Sequence, residues 1–259
     1  MSSAKGDRVF DLSGRVAVVT GGNGGIGLAI ARGLAKAGAA IAIWARDTAK
    51  SEAAVKELEA LGVRALALPC DVADEAQVAA AAEQTVAALG RIDVGVANAG
   101  GSAVTAFLET TLADWQKLTR VDLDGVFLTF REIARHMVAR GGGGRLIAIS
   151  SIGEIFGMPR QEAYAASKGG LGALVRSLAV ELARHDIQVN AVQPGWIATE
   201  PLKRAMKWQR FHDTIVHRTP ARRFGTPDDL AGVCVYLASD AARFHTGDTL
   251  RVDGGYSVF

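Results

Sequence analysis

The fold follows from the stretch Arg15-Val16-Ala17-Val18-Val19-Thr20-Gly21-Gly22-Asn23-Gly24-Gly25-Ile26-Gly27. Residues 15–20 are a short apolar run typical of a buried strand, and an Ala- and Leu-rich helical pattern occupies residues 28–37. A glycine turn between a strand and a helix presents backbone N–H groups and the positive end of the helix to a phosphate. Such a loop can also be a plain flexible turn, but this context favours a pyrophosphate site. The predicted cofactor-binding residues of the loop are Gly21, Asn23, Gly25, Ile26 and Gly27.

The second apolar run, at residues 40–44, ends in Ala45-Arg46-Asp47. In dinucleotide-binding folds a carboxylate at this place bonds the ribose 2′-hydroxyl, whereas an arginine accommodates a 2′-phosphate. Ala45 stands where the acid is expected and Arg46 follows it, so the sequence favours NADP(H) and leaves NAD(H) possible. Asp47 is close enough to serve as the acid, and an arginine at a strand end can simply be solvated.

Strand and helix patterns alternate along the rest of the chain. Further strands are predicted at residues 66–70, 93–97, 146–149 and 188–192, and helices at residues 49–60, 75–89, 112–140 and 164–183. This alternation predicts an α/β fold: a single-domain, Rossmann-type, doubly wound parallel sheet with helices on both faces. We expect residues 1–259 to form one dinucleotide-binding catalytic domain whose ligand lies beyond the carboxyl ends of the strands.

Two of the later strand ends carry candidate cofactor contacts. Asp71 and Val72 follow the third strand, where a carboxylate can reach the adenine amino group; alternatively, Asp71 or Asp74 only caps the next helix. Asn98-Ala99-Gly100 follows the fourth strand, and small residues there let a cofactor lie across the sheet edge.

A phenol, an ammonium and a hydroxyl lie close together in the stretch from Ser150 to Lys168. Tyr164 and Lys168 are four residues apart, so on a helix they share one face, and the strand before them delivers Ser151 just upstream. A neutral phenol is a poor base, but a cation held beside it favours the phenolate. The trio could then exchange a proton with an alcohol or ketone oxygen. Tyr-x-x-x-Lys also occurs on ordinary amphipathic helices. The pair therefore indicates an active site only in combination with the other motifs of the chain.

Composition argues against several classes of function. The 259 residues carry a net charge of +2, with 22% charged and 49% hydrophobic residues, so no global charge attracts nucleic acid or an anionic membrane. The two cysteines, Cys70 and Cys234, are too few and too far apart for a zinc site, and no metal site is predicted. Residues 1–10 lack the apolar run of a signal peptide. We expect a cytoplasmic protein that acts on a small molecule.

Several motifs occur together in a fixed order: Thr20-Gly21-x-x-x-Gly25-x-Gly27, Asn98-Ala99-Gly100, Ser151, Tyr164-x-x-x-Lys168 and Pro194-Gly195. With them the chain resembles the short-chain dehydrogenase/reductase superfamily, in its compact oxidoreductase branch. The likeness runs from Leu12 to the carboxyl end. It implies hydride transfer between a nicotinamide cofactor and a secondary alcohol or ketone, in a homotetramer or homodimer.

The resemblance implies a role for each matching residue. Tyr164 would donate or accept the proton, Lys168 would favour the phenolate and bind the nicotinamide ribose, and Ser151 would hold the substrate oxygen. Ser150 competes for that role, but Ser151 lies thirteen residues before Tyr164, the spacing that the family commonly shows. Asn98 would support the cofactor pocket. The nicotinamide end would be contacted by Pro194, Gly195, Ile197 and Thr199.

Asp122, also a candidate catalytic residue, departs from the family pattern. The family usually has an asparagine there, which completes a proton path through water to the lysine. Ionised aspartate accepts hydrogen bonds but donates none. One hypothesis is that Asp122 offsets part of the field of Lys168, so that the enzyme works best at more alkaline pH. The alternative is that Asp122 turns away and water takes its place.

Residues 200–223 are the least regular segment by pattern, and the resemblance implies a flexible lid over the substrate. The segment has seven basic residues against two acidic ones. A basic lid would suit an anionic substrate such as a sugar acid, or an acidic carrier protein. It is also typical of a solvated or subunit-facing surface.

Three functions are compatible with the sequence. The leading one is an NAD(P)-dependent oxidoreductase of secondary alcohols and ketones, with Tyr164 as general acid/base. The second is reduction of a carrier-bound 3-oxoacyl group, and the third is dinucleotide sensing without catalysis. The complete set of Ser151, Tyr164 and Lys168 argues against a sensor, whereas Asp122 keeps that function open.

Overall fold

One seven-stranded sheet runs through the described part of the chain. The structure is a computed structural model that describes residues 9–259, so the signal-peptide prediction falls largely on residues 1–8, outside the described residues. The strands are β1 Val16–Thr20, β2 Ala40–Ala45, β3 Ala65–Pro69, β4 Val94–Ala97, β5 Gly144–Ile149, β6 Ile187–Pro194 and β7 Thr249–Val252. Their order is β3-β2-β1-β4-β5-β6-β7, and every neighbouring pair is parallel.

Helices cover both faces of this sheet, which confirms the predicted Rossmann-type, single-domain fold. They are α1 Gly25–Lys36, α2 Thr48–Glu59, α3 Glu75–Leu89, α4 Leu112–Thr119, α5 Gly125–Arg140, α6 Glu162–Leu182, α7 Glu200–Met206, α8 Gln209–Arg218 and α9 Ala231–Ala238. Among the helices of residues 9–259, none combines the length and apolar content that crossing a bilayer requires.

Two apolar cores lie on opposite faces of the sheet because successive strand side chains alternate between them. On one face Val19 of β1 shares a core with Leu34 of α1 and Leu237 of α9. On the other face Val18 shares a core with Ile133 of α5. All five residues of β1 are buried, as expected for a parallel strand covered on both sides.

The strand order changes direction between β1 and β4. β2 and β3 lie on one side of β1, and β4 to β7 lie on the other. In open α/β sheets the crevice at such a switch point, beyond the carboxyl ends of the strands, binds ligands. The glycine loop leaves the carboxyl end of β1, and Asn98 leaves that of β4. The fold therefore brings these two predicted cofactor segments to one place.

The predicted helix at residues 112–140 is interrupted in the structure. A π-helical turn, Arg120–Asp124, separates α4 from α5, and the Gly125 N–H donates to the Arg120 carbonyl five residues back. A buried carboxylate needs polar partners, and this turn places Asp122 beside Lys168. Periodicity could not show the interruption because one wide turn barely changes the helical pattern.

The prediction that residues 200–223 are the least regular segment is wrong. They contain α7, which has a proline in its first turn, and α8. Both helices are short and depend on tertiary packing rather than on helix propensity. They pack on an apolar group that we call the aromatic cluster: Ile152, Phe156, Trp196, Ala198, Leu202, Met206, Phe211, Ile215, Val216, Phe224 and Tyr256.

Candidate active site

The loop after β1 leaves the start of α1 open to a ligand. Gly24 caps α1 without a side-chain hydrogen bond, and the first turn contains no acidic residue. The Leu28 N–H is bonded to the Gly24 carbonyl, and the N–H groups before it precede the helical ladder. A Cβ on Gly27 would lie 2.4 Å from the Gly21 carbonyl oxygen, so only glycine fits there. An uncapped helix start with closely approaching backbone fits a pyrophosphate.

The other predicted loop residues maintain the shape of the turn. Gly25 has a φ of +52°, and Ile26 packs against the core beneath the loop. The Asn23 amide donates to the Asp47 carbonyl at 3.1 Å and to the Ser51 hydroxyl at 3.0 Å. Asn23 thereby ties the glycine loop to the start of α2.

The end of β2 offers a cation to a ligand rather than a free carboxylate. The Asp47 carboxylate accepts the Lys50 N–H and caps α2, whereas Ala45 is buried. Arg46 keeps 75% of its side chain exposed, with Nη1 3.9 Å from Asp71 Oδ2. This arrangement fits a 2′-phosphate better than a 2′-hydroxyl.

At the end of β3 the structure separates two roles that the sequence left open. Asp74 accepts the Gln77 N–H and caps α3. Asp71 accepts the Ala73 N–H at 3.1 Å within the preceding turn, and Val72 is buried. Asp74 is therefore the residue that caps α3, and the Asp71 side chain lies beside Arg46.

A short hydrogen-bond network joins the carboxyl ends of β1 and β4. The Asn98 amide donates to the Thr20 carbonyl at 2.9 Å. The Thr20 hydroxyl accepts the N–H groups of Asn98 and Ala99, both at 3.0 Å. Sequence reasoning quoted Thr20 only as part of a motif and missed its function as the acceptor that fixes the turn. The sequence feature that could have indicated this function is the position of Thr20 as the last residue of an apolar strand.

Tyr164, Lys168 and Ser151 are brought together by the first turns of α6 and the loop after β5. The Lys168 ammonium is buried, donates to the Ile149 carbonyl at 3.1 Å, and lies 5.5 Å from the centroid of the Tyr164 ring. A Cβ on Gly153 would lie 3.3 Å from Tyr164 Cε1 and 3.4 Å from Ser151 Oγ. The phenol ring and the hydroxyl thus flank the same glycine.

The two competing serines have different partners. The Ser150 hydroxyl is buried and donates to Glu154 Oε2 at 2.8 Å, and the same carboxylate oxygen accepts from Gln193 at 3.0 Å. Ser151 Oγ accepts the Gly153 N–H at 3.0 Å. The Ser150 hydroxyl therefore already has a partner in Glu154, and the choice of Ser151 stays a prediction. Glu154 was not among the predicted residues, because its partner Gln193 is distant in sequence.

Asp122 faces Lys168, so the hypothesis that it turns away is wrong. Its side chain is buried, and Oδ1 accepts the Gly101 N–H at 2.9 Å. Oδ2 lies 3.5 Å from Lys168 Nζ, an ion-pair separation, and finds no closer donor within residues 9–259. Burial raises the pKa of the Asp122 carboxyl, while Lys168 and the Gly101 N–H oppose that increase. A Cβ on Gly100 would lie 3.1 Å from Oδ2.

The segment after β6 returns to the glycine loop. Pro194 is the last residue of β6, and the Gly195 N–H donates to the Val252 carbonyl. Ile197 turns its side chain into the core, so only its backbone can contact a cofactor. A Cβ added to Gly25 would lie 3.8 Å from the Thr199 methyl group. Residues 194–199 therefore lie beside the start of α1.

Comparison with known proteins decides the family. A family model described as enoyl-(acyl carrier protein) reductase matches residues 21–257. A gluconate 5-dehydrogenase from Burkholderia cenocepacia J2315, solved in complex with NADP and tartrate, superimposes with a TM-score of 0.93 at 41% identity, covering 97% of this chain and 98% of that one. The chain belongs to the short-chain dehydrogenase/reductase superfamily. It is therefore an oxidoreductase of that superfamily, as the motifs predicted.

Two further relatives within the superfamily match over almost their whole length. The 5-keto-D-gluconate 5-reductase of Escherichia coli (strain K12) is 39% identical over 250 residues, which are 96% of this chain and 98% of the relative. The L-rhamnose 1-dehydrogenase (NAD(P)(+)) of Sphingomonas sp. (strain SKA58) is 40% identical over 248 residues, 95% of this chain and 98% of the relative. Both names describe dehydrogenase or reductase activity on sugars or sugar acids.

Proposed function

We propose that this chain is an NADP-dependent oxidoreductase that interconverts the secondary alcohol and the ketone of a sugar acid. The observation that carries the proposal is the position of Tyr164, with its ring 5.5 Å from the Lys168 ammonium and beside the glycine that also contacts Ser151. Two of the three relatives described above are named for gluconate or its 5-keto form, and one for rhamnose. These names support a polyhydroxylated substrate.

In the proposed mechanism the proton and the hydride take separate routes. Bound nicotinamide supplies the hydride acceptor or donor. Ser151 Oγ orients the substrate oxygen, and the Tyr164 oxygen takes the hydroxyl proton during oxidation or returns it during reduction. Lys168 favours the phenolate through its charge, and its contact with the Ile149 carbonyl holds the ammonium in place.

The cofactor would lie across the crevice between β1 and β4. The uncapped start of α1 suits its pyrophosphate, and Arg46 suits a 2′-phosphate. Asp71 and Val72 would face the adenine, and Lys168 would also reach the nicotinamide ribose. The remaining proposed contacts are Gly21, Asn23, Gly25, Ile26, Gly27, Asn98, Ala99, Gly100, Tyr164, Pro194, Gly195, Ile197 and Thr199.

Asp122 would act on the reaction through Lys168. Its carboxylate lies 3.5 Å from the ammonium that is expected to favour the phenolate. An anion at that distance offsets part of the positive field that Lys168 presents to the reacting atoms. Lys168 of α6 faces Asp122, and the Tyr164 ring of the same helix lies 5.5 Å from the Lys168 ammonium.

The proposal is tested by following nicotinamide absorbance with purified protein. The panel contains gluconate, rhamnose, a neutral secondary alcohol and a 3-oxoacyl thioester, each with NADP(H) and with NAD(H). We expect gluconate with NADP⁺ to give the highest kcat/KM. Preferred turnover of the thioester would instead identify a 3-oxoacyl reductase. Intact cofactor binding without turnover of any member would identify a dinucleotide sensor. The cytoplasmic location, the homotetramer or homodimer and the lid at residues 200–223 stay predictions.

A further inference from the structure

Arg218, the last residue of α8, lies against two aromatic rings at once. Its guanidinium carbon is 4.4 Å from the centroid of the Tyr256 ring and 4.9 Å from that of Phe156. The two rings pack edge to face at 5.7 Å. Contact with two ring faces restricts the orientation of a planar guanidinium. The Arg218 cation is therefore held in place although its side chain reaches the surface.

The N–H donors of Arg218 are not used by the protein itself. Within residues 9–259, no acceptor or carboxylate lies at hydrogen-bond or ion-pair distance from its guanidinium. Two other cations of the same segment are engaged, since Lys203 pairs with Glu200 and Arg223 binds Asp229 through two contacts of 2.7 and 2.9 Å. Arg218 thus combines a fixed position with unfilled donors.

Side chains around Arg218 come from segments that follow the carboxyl ends of β5 and β6. Phe156 lies in the loop that leads from Ser151 to Tyr164, and Trp196 follows the Pro194-Gly195 turn after β6. Trp196 packs edge to face on Tyr256. Its indole N–H is also buried without an acceptor in the described residues, so the cluster holds a second unfilled donor. Unfilled donors favour a ligand rich in acceptor oxygens.

A guanidinium with a fixed plane matches the two oxygens of a carboxylate. We propose that Arg218 binds the carboxylate of the substrate and so makes this enzyme select sugar acids over neutral sugars. This inference rests on the proposed oxidoreductase function. Arg160, an exposed arginine four residues before Tyr164 in the sequence, suits an anion less well, because the cavity that it lines also contains Asp114 and Glu162.

The test compares an acid with a neutral substrate of the same carbon chain. kcat/KM is measured for gluconate and for sorbitol with NADP⁺, in the wild type, Arg218→Gln and Arg218→Lys. Arg210→Gln is the matched control, because Arg210 lies on the same helix, is exposed and contacts no aromatic ring among residues 9–259. Tartrate binding to the NADP-loaded protein, followed by calorimetry, provides a readout that does not need turnover.

We expect Arg218→Gln to lower kcat/KM for gluconate by about tenfold to a hundredfold, mainly through KM, and to leave sorbitol within about twofold. Arg218→Lys recovers part of the loss because lysine keeps the charge but not the paired donors. Equal losses on both substrates would show a merely structural role, and an unchanged preference for gluconate would also overturn the inference. If no substrate turns over but tartrate binding still depends on Arg218, the inference stands and the proposed oxidoreductase fails.

Discussion

The proposed cofactor side and the proposed substrate side of the crevice differ in the atoms that form them. The cofactor side consists mostly of backbone: the glycine loop, the open start of α1 and the Thr20–Asn98 network, all at adjacent strand ends. The substrate side consists of side chains from distant segments, such as Phe156, Arg218 and Tyr256. Backbone geometry tolerates few residue types, whereas a side-chain cluster can change its members. The first side therefore specifies a shared cofactor, and the second can specify a particular substrate.

Of the substitutions that probe cofactor binding, Gly27→Ala should have the largest effect. The new methyl would lie 2.4 Å from the Gly21 carbonyl oxygen and 2.5 Å from Asn98 Nδ2, so the loop must shift. We expect NADPH to bind up to about a hundredfold more weakly, measured by fluorescence titration. Gly232→Ala is the control, because a Cβ there meets nothing within 4 Å. Equal affinity in both variants would contradict a backbone-built cofactor site.

Arg46→Gln should have a smaller effect, and it tests the proposed contact between Arg46 and the 2′-phosphate of the cofactor. Loss of the exposed guanidinium should raise KM for NADP⁺ about tenfold, because one charge-assisted contact to the 2′-phosphate is lost. KM for NAD⁺ serves as the internal control and should stay the same. A parallel rise in both values would mean that Arg46 supports the fold of the loop rather than selecting the cofactor.

Asp122→Asn should have the smallest effect on maximal rate but should move the pH profile. Removing the carboxylate beside Lys168 removes the opposing charge, so the phenolate forms more readily. The acidic limb of kcat/KM for alcohol oxidation should shift to lower pH. Asp124→Asn, an exposed residue of the same π-helical turn, is the control. An unmoved limb in Asp122→Asn would show that Asp122 carries no charge at working pH.

The difference between regions formed by backbone and regions formed by distant side chains also explains how much of the structure the sequence could predict. The parallel sheet, the glycine loop and the Tyr164 and Lys168 pair depend on local spacing and periodicity, so they were predictable. The π-helical turn at Asp122 was not, because its cause is a buried partner on another helix. Residues 200–223 were misjudged for a similar reason: α7 and α8 are stabilised by the aromatic cluster rather than by their own pattern. The stacking of Arg218 could not be predicted from the sequence, because it depends on where Tyr256 lies in the folded chain.

The proton-transfer role of Tyr164 is tested most directly by Tyr164→Phe, with NADPH affinity and turnover measured on the same protein. Tyr236→Phe is the matched control, because that hydroxyl contacts His245 and lies outside the proposed site. We predict that Tyr164→Phe binds NADPH within about twofold of wild type and loses at least about a thousandfold in kcat, while Tyr236→Phe keeps both. Wild-type turnover by Tyr164→Phe would contradict the account.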